Sequence, residues 1–208
     1  MKNITTYLFD FDGTLVNSQR SLTRVFQLSY GAVGVNITHE DTLYLMRVRL
    51  EAGYRHFKAP IDKASIKKFS DTIVSTLNDE ETLKLTEAFP DTVSVLTSLH
   101  QKGCILGIVT SNSKNHVLDV LDFLGIDRNL FQVIIGNGEV KKCKPHPEPV
   151  KVAIKALGVK RENVAYVGDG LDDMKSAKRA RVTPIQLDRL GEYDDSKHHV
   201  IKSLEDLL

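Results

Sequence analysis

Two aspartates, Asp10 and Asp12, follow the first apolar run of this chain, in the stretch Tyr7-Leu8-Phe9-Asp10-Phe11-Asp12-Gly13-Thr14-Leu15. The apolar run predicts a buried strand, and Gly13 predicts that the strand ends in a turn. Two carboxylates at a strand end repel each other unless a positive charge lies between them, and a divalent cation with oxygen ligands would supply that charge. One carboxylate could then hold the metal and attack a substrate, while the other transfers protons.

A second polar cluster consists of Thr110, Ser111 and Asn112, which follow the apolar run Ile105–Val109. A hydroxyl group and the backbone amides of the next turn can hold a phosphoryl oxygen. Taken alone, the cluster is more typical of an ordinary turn, so its meaning depends on the other clusters.

A third cluster is the loop Lys141-Lys142-Cys143-Lys144-Pro145-His146-Pro147-Glu148-Pro149, in which three prolines follow Lys144 closely. Prolines stiffen a loop and suit the start of a helix. A lysine held in such a loop is a fixed positive charge, which phosphoryl transfer requires. We expect Lys144 to have this role, and we interpret Lys141 and Lys142 as solvated surface residues.

The fourth cluster follows the apolar run Val164–Val167 and contains three aspartates within five residues, Asp169, Asp172 and Asp173. Carboxylates crowded beside a buried strand are costly without a cation. Acidic residues also favour a helix N-terminus, and this effect accounts for part of the preference for Asp172.

The elements that must position these clusters alternate from residue 89 onward between helical patterns and short apolar runs. Such alternation predicts a mainly parallel sheet with helices on both faces, ending in a weak strand at Thr183–Gln186. In doubly wound sheets of this kind, ligands bind beyond the carboxyl ends of the strands. Three of the clusters follow predicted strands, so we expect them to converge.

Residues 17–88 show helical patterns without a convincing strand, and Thr38 and Asp62 suit the N-caps of two of the helices. We therefore predict an α/β fold with a doubly wound, Rossmann-like core at residues 1–16 and 89–208. The helical segment 17–88 is predicted to be an inserted domain.

The bulk composition is that of an ordinary soluble protein, with 208 residues, 41% hydrophobic and 26% charged residues and a net charge of +1. This charge gives no reason to expect binding to nucleic acid or to a membrane surface. The two cysteines, Cys104 and Cys143, form no recognisable pattern, which is typical of a reducing compartment. We expect a cytoplasmic protein that is a monomer or a homodimer.

Together the four clusters resemble, in order, the four motifs of the haloacid dehalogenase-like hydrolase superfamily, and Lys-Pro-His-Pro-Glu-Pro resembles its phosphoglycolate-phosphatase-like branch. The first cluster matches D-x-D-G-T-L and the fourth matches G-D-x-x-x-D. The insertion at 17–88 resembles the family's first type of cap domain, which is helical.

The resemblance implies that Asp10 is a nucleophile that forms an aspartyl-phosphate and that Asp12 transfers protons. It further implies Mg²⁺, held by Asp10, by Asp169 and by the backbone carbonyl of Asp12. Thr110 and Lys144 would stabilise the transferring group.

The remaining expected roles are supporting ones. Ser111 and Asn112 would bind the phosphoryl group, and Asp173 would support Lys144 or a metal-bound water. Arg47 and Arg49, in the insertion, could bind a second anionic group by forked hydrogen bonds, although they could equally be surface residues of a charged helix.

These roles predict a Mg²⁺-dependent phosphatase that acts on a small phosphorylated metabolite, either phosphoglycolate-like or a sugar phosphate. Asp12 favours phosphate transfer over dehalogenation, which needs no general acid at that position. Two alternatives stay open: a phosphosugar mutase of the β-phosphoglucomutase type, and a non-catalytic binding or signalling protein with the same fold.

Overall fold

The computed structural model describes residues 4–48, 50–191 and 199–208. It divides into two compact units, one formed by Met1–Asn17 with Ala88–Leu208 and the other by Ser18–Glu87. We call them the core unit and the helical unit. Among the helices in these described ranges, none is both long enough and apolar enough to cross a membrane.

The elements follow one another in an order that alternates strands and helices after residue 88. The strands are β1 (Thr6–Phe9), β2 (Val16–Asn17), β3 (Glu87–Ala88), β4 (Ile105–Val109), β5 (Phe131–Ile135), β6 (Val164–Gly168), β7 (Thr183–Leu187) and β8 (His199–Ile201). The helices are α1 (Gln19–Ala32), α2 (His39–Leu45), α3 (Leu50–His56), α4 (Lys63–Leu77), α5 (Glu80–Leu83), α6 (Thr92–Gln101), α7 (Lys114–Phe123), α8 (Glu148–Leu157) and α9 (Leu171–Ala180). Short 3₁₀ turns occupy Arg128–Leu130, Asn137–Glu139, Arg161–Asn163 and Leu204–Leu207.

The core unit contains a six-stranded sheet in the order β5-β4-β1-β6-β7-β8, and its paired strands run parallel. At the centre, Phe9 of β1 lies opposite Ile108 of β4 on one side and Val167 of β6 on the other. The chain proceeds from β1 outward to β4 and β5, and then returns to build β6, β7 and β8 on the other side. The direction of winding therefore reverses at β1, and ligands bind at such a switch point.

The interior of the core unit is made by apolar side chains from the central strands and from the helices that cover them. Leu8 and Tyr166 are fully buried and pack with residues of α8 and α9, including Val150 and Ala177. Strands buried in this way need long apolar runs, which explains why the sequence could reveal them.

The helical unit has its own small core, in which α1 packs against α4 and α2. Buried Tyr30, Leu45 and Phe69 lie at its centre, and the Tyr30 ring meets the Phe69 ring edge to face with centroids 4.9 Å apart. Asp62 caps α4 by accepting a hydrogen bond from the Ser65 amide. An N-terminal cap of this kind satisfies an amide that has no partner within the helix.

The structure differs from the prediction at several short elements. The last strand of the sheet is β8, not the segment Thr183–Gln186, because Ile185–Leu187 of β7 pair with His199–Ile201. Helix α3 lies within the segment predicted to be helical but was not singled out, and the two-residue strands β2 and β3 lie where no strand was predicted. Each of these elements is too short to show a convincing periodicity.

Candidate active site

The central strands bring the predicted catalytic residues to one edge of the sheet. Asp10 directly follows β1, Thr110 follows β4 and Asp169 follows β6. The Asp10 amide donates to the Val167 carbonyl at 2.8 Å, and the Thr110 amide donates to the Ile135 carbonyl at 2.9 Å. These bonds continue the ladders one residue past β1 and β4, and so they fix the backbone where these two side chains leave the sheet.

Lys144 lies between two carboxylates. Its ammonium nitrogen is 2.7 Å from Asp10 Oδ1 and 2.7 Å from Asp173 Oδ1, and its side chain is only 7% exposed. The peptide bond from Lys144 to Pro145 is cis. A buried ammonium in contact with two carboxylates is a strong charge-assisted arrangement. It gives the stiff proline loop a defined place beside Asp10.

Asp173 is held by two further groups. Its Oδ1 lies 3.0 Å from the Tyr166 hydroxyl, and its Oδ2 accepts the Gly170 amide at 3.0 Å. The Gly170 bond caps α9, so one carboxylate both begins this helix and contacts Lys144. Because Asp173 is buried, each of these contacts limits its rotamer.

Asp169 is fixed through its side chain and its backbone. Thr14 donates its hydroxyl to Asp169 Oδ1 at 3.2 Å, and the buried Gln186 side chain donates to the Asp169 carbonyl. Gly13 lies against the same carboxylate, because a Cβ on this glycine would come 2.7 Å from Asp169 Cγ. The glycine also has φ of +76°, a conformation that other residues rarely adopt.

Asp12 contacts the second cluster. The Asn112 side-chain amide donates to Asp12 Oδ2 at 2.7 Å, whereas Asp12 Oδ1 is buried and has no hydrogen-bond partner among the described residues. The Asn112 backbone amide donates to Thr110 Oγ1 at 3.1 Å. Ser111 is exposed, and its carbonyl accepts from Asn137.

Burial and crowding alter the acidity of the site. Burial raises the pKa of Asp10, and the charge of Asp173 raises it further. Burial and the charge of Asp173 likewise raise the pKa of Asp169 to about 6. Burial alone would lower the pKa of the Lys144 ammonium, but Asp10 and Asp173 reverse this effect and hold it above its ordinary value. Lys144 is therefore a permanent positive charge, and the carboxylates lack sufficient counter-charge.

The same carboxylates fit a divalent cation. Asp10, Asp169 and Asp173 each offer an oxygen, and these oxygens lie within 4.8 Å of one another. Three carboxylates face the single ammonium of Lys144, so the charge of the cluster is unbalanced. A hard cation prefers oxygen ligands and would restore the balance. The Asp12 side chain is turned toward Asn112 instead, which leaves its backbone carbonyl as its expected ligand atom.

The two predicted cap residues, Arg47 and Arg49, belong to the helical segment of the chain. Arg47 is exposed in the helical unit, in the turn that follows α2. Arg49 falls outside the described residues, so its predicted role has no structural counterpart here.

Several residues of the site were not predicted: Thr14, Tyr166 and Gln186 contact the aspartates, and His116 lies buried near Asp12. Burial lowers the pKa of His116, against the opposing charges of Asp12 and Asp119. The sequence contained one sign of the role of Tyr166, because the hydroxyl of a tyrosine in a buried strand needs a polar partner.

Comparison with known proteins gives the family. The profile of the haloacid dehalogenase-like hydrolases matches residues 7–186. Pyrophosphatase PpaX of Oceanobacillus iheyensis is 31% identical over 183 residues, which cover 86% of this chain and 81% of that protein. Phosphoglycolate phosphatase of Salmonella paratyphi A is 27% identical, covering 86% and 79%.

Among solved structures, a haloacid dehalogenase-like hydrolase from Bacteroides fragilis superposes with a TM-score of 0.86. It is 27% identical, and the match covers 99% of this chain and 100% of that one. The matched profile, the parallel sheet and the aspartates at its central edge agree, and the chain belongs to the haloacid dehalogenase-like hydrolase family.

Proposed function

We propose that this chain is a Mg²⁺-dependent phosphatase that hydrolyses a small phosphomonoester, phosphoglycolate-like or a sugar phosphate, through an aspartyl-phosphate on Asp10. Its enzyme class, a phosphatase, follows from its family and from relatives named as phosphatases. The proposal adds the substrate class, the metal and the roles of the residues. The observation that carries it is the contact of the buried Lys144 ammonium with Asp10, 2.7 Å from Oδ1.

In the first step, a carboxylate oxygen of Asp10 attacks the phosphorus, and the bond from phosphorus to the ester oxygen breaks. Asp12 gives its proton to the leaving oxygen. The Lys144 ammonium lies beside Asp10, where it can stabilise the oxygens of the transferring group. Thr110, which is buried directly after β4, is proposed to make a further contact with the phosphoryl group.

In the second step, Asp12 takes a proton from water, and the water oxygen attacks the phosphorus of the aspartyl-phosphate. Phosphate leaves and the Asp10 carboxylate is restored, so the atoms and charges balance. Bound Mg²⁺ would supply the positive charge that offsets Asp10 and Asp169 and the charge on the phosphoryl oxygens. Burial and Asp173 both raise the pKa of Asp10, so a nearby cation would favour the ionised nucleophile.

The test is phosphate release with Mg²⁺ across a panel of phosphoglycolate, sugar phosphates, nucleotides and pyrophosphate. Pyrophosphate belongs in the panel because a relative is named for it. We expect a preference for one small phosphomonoester and a loss of at least about 10³-fold in Asp10→Asn, which lacks the nucleophile. Loss of activity in chelator, restored by Mg²⁺, would support the metal.

Three outcomes would contradict the proposal. Phosphate release at background level across the panel would show that the chain does not hydrolyse these substrates. Isomerisation of a sugar phosphate without net phosphate release would identify a mutase instead. Full activity of Asp10→Asn would mean that another group attacks the phosphorus.

We further propose that the helical unit is the cap domain and that Arg47 and Arg49 select the substrate by binding a second anionic group. Alanine at both positions should raise KM for a substrate with a carboxylate much more than for a neutral phosphate ester. Arg20→Ala is a suitable control, because Arg20 is also an exposed arginine of the helical unit. Equal changes for both substrates would contradict the role.

A further inference from the structure

Asn112 is joined to Asp12 by the hydrogen bond that its side-chain amide donates to Asp12 Oδ2 at 2.7 Å. From this contact we propose that Asn112 is a positioning residue, which holds the Asp12 carboxyl group so that Oδ1 is the oxygen that exchanges protons. The inference rests on the proposed function, because it requires Asp12 to be the proton donor. It differs from the sequence-based prediction, in which Asn112 binds the phosphoryl group.

The Asn112 side chain is held in place from its own backbone. Its amide nitrogen donates to Thr110 Oγ1 at 3.1 Å, and its carbonyl accepts the Asn137 amide at 2.9 Å. The first bond closes the turn after β4, and the second ties this turn to the loop after β5. A donor mounted on a fixed turn loses little freedom when it binds a carboxylate, so it can impose one orientation on Asp12.

The two oxygens of Asp12 then differ in their surroundings. Oδ2 accepts the Asn112 amide, while Oδ1 is buried without a hydrogen-bond partner among the described residues. A buried polar oxygen without a partner is costly, and it is retained where a substrate or water supplies the missing bond. Asn112 therefore leaves Oδ1 free to give its proton to the leaving oxygen and later to take a proton from water.

The two roles of Asn112 predict different responses to the leaving group. A nitrophenolate leaves without needing a proton, whereas an alkoxide needs one from a general acid. If Asn112 positions Asp12, its loss should slow the first step, phosphoryl transfer to Asp10, for alkyl esters and spare this step for aryl esters. If Asn112 binds the phosphoryl group, its loss should slow the reactions of alkyl and aryl esters equally.

The experiment measures kcat and KM of the full chain for p-nitrophenyl phosphate and for glycerol phosphate, in the presence of Mg²⁺. For Asn112→Ala we expect kcat/KM for the alkyl ester to fall about 30-fold and kcat/KM for the aryl ester to fall less than about 3-fold, because kcat/KM reports only the steps up to departure of the leaving group, and the hydrolysis of the aspartyl-phosphate is common to both esters. Asp12→Asn should show the same dependence on the leaving group, and more strongly. Asn115→Ala, an exposed asparagine of α7, should behave as the wild type.

Several results would overturn the inference. Equal losses of kcat/KM for both esters in Asn112→Ala would assign the residue to phosphoryl binding, and an unchanged kcat/KM for both would mean that Asn112 does not position Asp12. No leaving-group dependence in Asp12→Asn would mean that Asp12 is not the acid. Asn112→Leu, of similar size, repeats the test if the alanine variant fails to fold. A wild type inactive on both esters and across the whole substrate panel would overturn the proposed function itself.

Discussion

The hydroxyl oxygen of Tyr166 lies 3.0 Å from Asp173 Oδ1, the same oxygen that contacts the Lys144 ammonium at 2.7 Å. The hydroxyl also lies 2.8 Å from the Val109 carbonyl. A phenol has a single proton, so it donates to one of these acceptors at a time. The residue is fully buried, and it links the strand that precedes Thr110 with the carboxylate that supports Lys144.

Removing this hydroxyl should affect catalysis through Asp173. In Tyr166→Phe, both acceptors lose their shared donor while the ring is kept, so we expect kcat to fall about 3- to 10-fold and the free energy of unfolding to fall by about 1 kcal/mol. Steady-state kinetics with the preferred substrate and urea denaturation measure the two effects. Tyr7→Phe makes the same change in the neighbouring strand β1 and should leave kcat unchanged. An unaltered kcat in Tyr166→Phe would show that Asp173 needs no such support.

Gly13 should be intolerant of a side chain, because a Cβ would press on the Asp169 carboxylate, 2.7 Å from Cγ. For Gly13→Ala we expect a loss of activity of about 100-fold or more and weaker activation by Mg²⁺, since Asp169 must move. Gly103→Ala is the matched control: its φ of +79° is similar, but nothing lies within 4 Å of the added Cβ. It therefore carries the backbone strain alone. Equal activity in the two variants would show that the Asp169 carboxylate tolerates a Cβ at Gly13.

The sequence allowed the family, the parallel sheet and several local details to be predicted. The family profile and the sheet confirm the first two, and the caps at Thr38 and Asp62 confirm the third. These features depend on motifs, on periodicity or on pairs three residues apart, all of which a linear chain displays. The catalytic roles of Asp10 and Asp12 stay predictions, because geometry alone does not measure a reaction.

The contacts between distant residues could not be predicted. Arg189 and Asp91 pair across 98 positions of the chain, and their separation contains no sign of the contact. The sequence predicted a phosphoryl-binding role for Asn112, and it gave no sign of the contact with Asp12, which spans 100 positions. Tyr166 was taken as part of an apolar strand, since its hydroxyl gains meaning only when α9 brings Asp173 against it.

The metal-free protein should lose stability as the pH rises, because Asp169 is harder to ionise in the folded state. Burial, followed by the charge of Asp173, raises its pKa from 3.8 to about 6. The stability linked to this group is complete below about pH 4 and is lost as the pH rises through about 6, by about 3 kcal/mol in total. In chelator, the free energy of unfolding of the wild type should therefore fall between pH 4.5 and pH 7.5, relative to that of Asp169→Asn.

Urea denaturation of both proteins across this pH range measures the difference. Added Mg²⁺ should abolish most of the decline in the wild type, because a bound cation favours the ionised carboxylate. Asp169→Asn provides the reference, since it cannot ionise at this position. Parallel pH profiles of the two proteins in chelator would show that Asp169 has an ordinary pKa.

Arg189 should stabilise the core unit through its pairing with Asp91. Its two terminal guanidinium nitrogens each donate to one Asp91 oxygen at 2.9 Å, and a third bond reaches the Thr14 carbonyl at 3.2 Å. The guanidinium also stacks 3.9 Å from the Phe89 ring centroid. Removing one partner of such a pair leaves a buried charge uncompensated, which costs about 3 kcal/mol. We expect this loss of unfolding free energy for Arg189→Ala in urea denaturation.

Arg128 is the matched control, because it also pairs with an aspartate but the pair is exposed. Arg128 pairs with Asp122 at 3.7 Å, and both side chains are 55% exposed. Exposed pairs are screened by water, so Arg128→Ala should change the free energy of unfolding by less than about 0.5 kcal/mol. Arg189→Lys keeps the charge but loses the two-pronged geometry, and it should fall between the wild type and the alanine variant. If Arg189→Ala were no more harmful than Arg128→Ala, the stability of the core unit would not depend on this pair.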